Sequence, residues 1–223
     1  MNYLNPYIFH INLYDLAFLG AIFFGLNFAL LLWFTKSINK SANRFLSLAL
    51  AVVILHITWI LGIDIRLEAY LSHWNLLPMR FSLAFGPLIY FYVLKVTRPE
   101  YKFCFKDILH FSPILLELIA QVLETVESIG KETATYNTVI FQRLNPVLQL
   151  LAFVSVVIYL YKSHKLIEQY YKRLKFNGGD RYRHELRWLH KLLTVFGLIW
   201  LLWIPFTVAD YFYYHYQLEP HAY

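Results

Sequence analysis

A single cysteine, Cys104, stands in the 223 residues, so no intrachain disulfide can form and no pair of thiolates is present to hold zinc. Charge is equally scarce. Asp, Glu, Lys and Arg make up 15% of the chain, whereas 59% is hydrophobic and 19% aromatic. A water-soluble domain carries about a quarter charged residues, so this balance excludes a lone globular core and points to a surface that faces lipid. The opening "MNYLNPYIFHINLYD" contains no Lys or Arg. It therefore lacks the basic start of a secretory leader, and the first apolar segment is expected to remain as a membrane helix. Glycine-rich phosphate loops, a nucleophile elbow, internal repeats and Ser/Gly linkers are also missing.

What is present is a series of apolar segments of about 20 residues, the length a helix needs to cross the hydrocarbon core. Six are expected: Tyr14–Phe34, Asn43–Ile63, Leu76–Val96, Ile108–Val126, Thr138–Tyr161 and Leu189–Tyr214. The ten-residue alternation of a membrane barrel is not seen. The expected fold is thus all-α, a polytopic transmembrane bundle of six helices forming a single domain over 1–223.

The cations divide unevenly among the connections. Lys36, Lys40 and Arg44 follow the first segment, and Lys95, Arg98, Lys102 and Lys106 follow the third. A basic loop over 162–188 follows the fifth. It includes Lys172, Arg173, Lys175, Arg181, Arg183 and Arg187, and the opposite connections hold only Arg66, Arg80, Lys131 and Arg143. By the positive-inside rule the N-terminus is outside and the odd-numbered connections are cytoplasmic. Within the basic loop, "KLIEQYYKRLKF" fits an amphipathic helix on the anionic inner leaflet. "NGG" would end it, and Asp180 would cap a following helix that runs into the membrane. Interleaved rings and cations also suit nucleic acid, but a positive-inside loop accounts for them without it.

Ionisable and amide groups at membrane depth are costly and mark candidate sites. Arg80, Glu117, Gln121, Asp210 and His56 are the candidates for ligand binding. Glu117, Gln121 and Glu124 recur at helical spacing and share one face. Arg80 enters the third segment from the outer side, as Asp210 leaves the sixth, so an Arg80–acid pair near the outer leaflet is geometrically feasible, either as part of a sensing pocket or as a packing ion pair or snorkelling charges. "HELRWLH" places His184 and His190 six residues apart, on different helix faces, so it is not a zinc-protease helix. No metal, no cofactor and no catalytic group is expected, and the chain reads as a non-enzyme. Gly86 and Pro87 in "FGPLIYFY" are expected to bend or pack the third helix, and Pro113, Pro146 and Pro205 to kink theirs.

Several stretches together resemble a known group. "NRFLSLAL" (Asn43–Leu50), "FGPLIYFYV" (Phe85–Val93), "FKDILHFSPILLELI" (Phe105–Ile119) and "RWLHKLL…WIPFTVADYFYYHYQL" (Arg187–Leu218) are similar to the membrane-embedded N-terminal half of AraC-type transcriptional regulators of Bacteroidetes. The resemblance implies a sensory, signal-transducing domain in the bacterial inner membrane. The partners expected of the chain are the lipid bilayer and a second copy (a homo-dimer). DNA would be reached only through a helix-turn-helix domain that these residues do not contain. It also implies seven helices, so this six-helix chain is expected to be a fragment or a relative without the output domain. The alternatives are a small polytopic transporter, which would favour inverted repeats and paired broken helices that are not found, and a membrane protein with no signalling output.

Overall fold

The computed structural model describes residues 12–36, 39–67, 70–71, 74, 77–131, 138–176, 189–191, 193–195, 197–198 and 201. Among them every regular element is helical. The elements are α1 (Leu13–Phe34), α2 (Lys40–Asp64), α3 (Ser82–Thr97), α4 (Phe105–Ile108), a 3₁₀ turn (Leu109–Phe111), α5 (Pro113–Lys131) and α6 (Val139–Phe176). The described positions between 189 and 201 are helical as well. Three helices are long and apolar enough to cross a membrane, and a fourth span arises if α4, the 3₁₀ turn and α5 are counted together. The chain is a membrane protein of all-α class.

The first two helices form close to where the hydropathy places them. The others depart from expectation, each for a physical reason. The third segment was expected to be helical from Leu76, yet α3 starts at Ser82. Pro78 disfavours helical backbone just before it, and residues 78–80 are non-helical. At 16 residues, or about 24 Å, α3 falls short of a bilayer core. The fourth segment, expected as one helix over Ile108–Val126, is broken: the piece ending at Phe111 meets the piece starting at Pro113 at 45°. Proline suits the first turn of a helix, where its missing N–H costs nothing.

The fifth segment, expected to end at Tyr161 with a separate amphipathic helix in the connection after it, continues without a break as α6 to Phe176, so the expected helix is present but joined to the span. The stretch expected to lie on the inner leaflet is thus a helical extension packed against protein. Ile167 is fully buried in a cluster with Ala42, Tyr92, Val93, Leu189 and Leu193, and Leu166, Tyr170 and Tyr171 pack around it. The sixth segment is described only to residue 201, so its remainder, with Pro205 and Asp210, lies outside the described residues, as does the "NGG"–Asp180 turn.

The buried helix α3 is the axis of the bundle. Leu83, Phe85, Leu88, Phe91, Val93 and Leu94 are all buried, between α2 on one side and α6 on another. At Gly86 α3 lies close against α6: a Cβ there would lie 2.9 Å from the Tyr159 ring and 3.3 Å from the Ser155 carbonyl oxygen. At the far end of α3, Asn39 at the start of α2 donates to the Lys95 carbonyl (3.0 Å), and the Arg98 guanidinium donates to Gln169 of α6 (3.1 Å). Lys95 itself is buried and donates to the Tyr101 carbonyl. The Tyr101 hydroxyl donates to both oxygens of Asp107 (2.8 and 2.9 Å), and that bond pushes the phenol up to about 12.

Replacing Gly86 by leucine is expected to force α3 and α6 apart at a cost of about 1–3 kcal/mol. Gly130→Ala, at a position with nothing within 4 Å, should leave stability unchanged or slightly raised. Thermal unfolding of both variants in detergent reads the difference; equal melting temperatures would refute the close-packing role.

Candidate functional site

Residues 78–80, just before α3, pose a problem that follows from their position. Met79 and Arg80 are buried yet not helical, so their backbone groups lack the partners a helix would supply. Gln121 on α5 supplies them. Its Oε1 accepts the N–H groups of both Met79 and Arg80 (3.1 Å each), and its Nε2 donates to the Arg80 carbonyl (2.7 Å). One turn earlier on α5, Glu117 completes the start of α3. Its carboxylate accepts the Leu83 N–H (3.1 and 3.2 Å) and the Ser82 hydroxyl. No side chain of the capping residue Phe81 does this work. Glu117 is a cap supplied by a neighbouring helix, and its charge faces the positive end of the α3 dipole.

Arg80 points the other way, across the bundle. Its guanidinium donates to Glu124, which is fully buried, and to the Asn145 side-chain oxygen on α6 (3.3 Å). It also lies over the rings of Trp59 (4.9 Å) and Phe141 (5.0 Å), which provide cation–π contact. His56, one turn before Trp59 on α2, stacks on that ring at 6.1 Å. Among the described residues the Nδ1 of His56 and the Oε1 of Glu124, both buried, find no hydrogen-bond partner. Arg80 thereby joins α2, α5 and α6 to the entrance of α3.

Charges balance in pairs: Arg80 with Glu124, and Glu117 with the α3 N-terminus. Glu127 repeats the pattern, accepting the Val139 and Ile140 N–H groups (3.3 and 2.9 Å) at the start of α6. The polar face of α5 is therefore used from end to end, while Leu115, Leu116, Ile119, Val122, Leu123, Val126 and Ile129 face outward.

Beside this cluster lies a cleft of about 30 Å³, lined by His56, Arg80, Glu117, Gln121, Asn145 and Gln149 among others. That is room for roughly two water molecules. Among the described residues no three His, Cys, Asp or Glu side chains converge to hold a metal. His190 lies against His164 with ring centroids 4.2 Å apart and the rings tilted by 50°, whereas His184 lies outside the described residues.

Of the residues singled out from the sequence, His56, Arg80, Glu117 and Gln121 meet at this cleft; Asp210 lies outside the described residues. The acid that Arg80 finds is Glu124. Trp59, Ser82, Phe141, Asn145 and Gln149 were not singled out. Asn145 and Gln149, four residues apart and so on one face of the helix, carried a readable signal; Trp59 and Phe141 did not, because nothing separates them in sequence from lipid-facing rings. In the basic segment, Lys172 pairs with Glu168 (2.7 Å) on the exposed side of α6, and Arg173 is exposed beside it. Lys175 is in the helix, and Arg181, Arg183 and Arg187 lie outside the described residues. No family model, curated protein or solved structure matches the chain.

Two substitutions separate the roles in the cluster. Arg80→Leu is expected to cost about 3–5 kcal/mol by leaving Glu124 charged and buried, and Arg80→Leu with Glu124→Leu should recover most of the loss. Denaturant unfolding of the two variants tests this; a double variant as unstable as the single would show that the ion pair is not the source. Gln121→Leu removes partners from three backbone groups at about 1–3 kcal/mol each. It should therefore lower folded yield sharply, whereas Gln149→Leu, at the cleft wall, should not.

Proposed function

We propose that the chain is the sensory, signal-transducing domain of a bacterial inner-membrane protein and not an enzyme. It would cross the membrane six times, with the N-terminus outside and the basic end in the cytoplasm. The observation that carries this reading is the Arg80 clamp. A buried, charge-paired cluster ties α2, α5 and α6 to the start of α3, about 24 Å along α3 from the end where Lys95 and Arg98 lie. Breaking or remaking the clamp would move the entrance of α3. A rigid, fully packed helix would carry that movement to the basic end, where α6 extends beyond the length of a span. Such an element needs two states of different affinity for a stimulus. The resemblance to AraC-type regulators of Bacteroidetes gives the output: a DNA-binding domain outside these residues.

A transporter is less well supported. The cleft is small, and between Glu117 and the basic end His110 is committed to the Tyr159 hydroxyl (2.7 Å).

Cys104 offers a direct test, since it is exposed and lies between α3 and α4 at the basic end. A membrane-impermeant maleimide is expected to label it in inside-out vesicles and not in intact cells; labelling of intact cells would reverse the proposed orientation. In the same vesicles, Arg80→Lys and Glu124→Gln should change the Cys104 labelling rate at least about twofold if the two ends are coupled through two conformations. Identical rates in the wild type and both variants would reject the sensory reading.

A further inference from the structure

Helix α1 meets the rest of the bundle through one face. Asp15 and Ala29 are buried against α2, the Ser47 hydroxyl donates to the Ala29 carbonyl (2.7 Å), and a Cβ on Gly25 would meet Ile54 at 3.1 Å. At 100° per residue, Gly20 and Asn27 fall together on the opposite side of the helix. A Cβ at Gly20 would meet nothing within 4 Å, and Asn27 is exposed. Around them Leu16, Phe23, Phe24, Leu31 and Phe34 are exposed too.

Asn27 is the one hydrogen-bonding side chain between Asp15 and Trp33. Its Nδ2 donates to the Phe23 carbonyl one turn back (2.7 Å). That uses one amide hydrogen, and the second hydrogen and Oδ1 point to a side where hydrocarbon offers neither donor nor acceptor. Polar side chains at such depth hold membrane helices together, and small residues let their backbones approach.

We propose that this face of α1 is where two copies of the chain associate, with the Asn27 amides exchanging N–H···O bonds across a two-fold axis and Gly20 admitting close approach two turns away. A second copy is the fitting occupant because a carboxamide is self-complementary. On a two-fold axis it meets itself, and each donor finds an acceptor without any further polar residue. A single buried asparagine that sets pairing and register is the same device in water-soluble coiled coils. The contact lies on the side of α1 away from α2, so it does not depend on the Arg80 clamp.

Cysteine cross-linking in native membranes, in a Cys104→Ser background, tests it with the whole chain. Oxidation should link Gly20→Cys and Asn27→Cys into homodimers, and should not link Leu150→Cys, which is also exposed but on α6. In vesicles, energy transfer between labelled copies should show Asn27→Leu raising the dissociation constant about three- to twentyfold. Gly20→Leu, which meets no atom of its own chain, should weaken association with the fold intact. Dimers no more frequent at Asn27 than at Leu150, association indifferent to both substitutions, or a cross-link from Asn27 to a different protein would each overturn the proposal.

Discussion

The structure depends on how the backbone of residues 78–80 is satisfied. A non-helical stretch inside a membrane bundle survives only if each N–H and C=O finds a partner within the protein. Gln121 takes the N–H groups of Met79 and Arg80 and the Arg80 carbonyl, and Glu117 takes the Leu83 N–H at the start of α3. Because those bonds set where α3 begins, they also set where Arg80 stands. From there the guanidinium can reach only inward, to Glu124, Asn145 and the two rings. The position of α3 then determines the remaining packing: Gly86 against α6, and Asn39 and Arg98 locking the other end.

Helix α5 emerges as a polar spine in an apolar setting. Its buried face spends carboxylates and an amide on the ends of two other helices and on one arginine, and its outer face is fully aliphatic. Intramembrane ionisable groups usually point to ligand or ion traffic, but here several of them have a complete structural occupation. Among the described residues, what is left for a stimulus is narrower: the Arg80–Glu124 pair, whose second carboxylate oxygen finds no partner among them, the His56 ring nitrogen, and a cleft the size of two waters. A signalling element built this way would work by changing who partners whom, with little need to admit a large molecule.

The misjudged boundaries share a cause. Helix α3 was expected to start earlier because Leu76, Leu77 and Met79 are apolar, yet Pro78 and the bonds to Gln121 favour extended backbone. α6 was expected to stop where lysines begin. Lys162, Lys165, Lys172 and Arg173 do not stop a helix, since their faces alternate with Leu166, Ile167 and Tyr170, which have a core to bury against. Hydropathy reports the lipid boundary; it does not report where a helix ends.

The sequence by itself determined the class of the protein, the places of its long apolar helices, the gathering of cations on alternate connections, and the alignment of Glu117, Gln121 and Glu124 on one face. These are properties of composition and of local period, which need no knowledge of neighbours. Tertiary structure decided that Glu117 caps α3, that Glu124 and not Glu117 pairs with Arg80, that Trp59 and Phe141 cover the guanidinium, and that Asn27 faces away from the bundle. Those outcomes turn on distances between residues tens of positions apart, and a partner chosen across such gaps is set by packing in three dimensions.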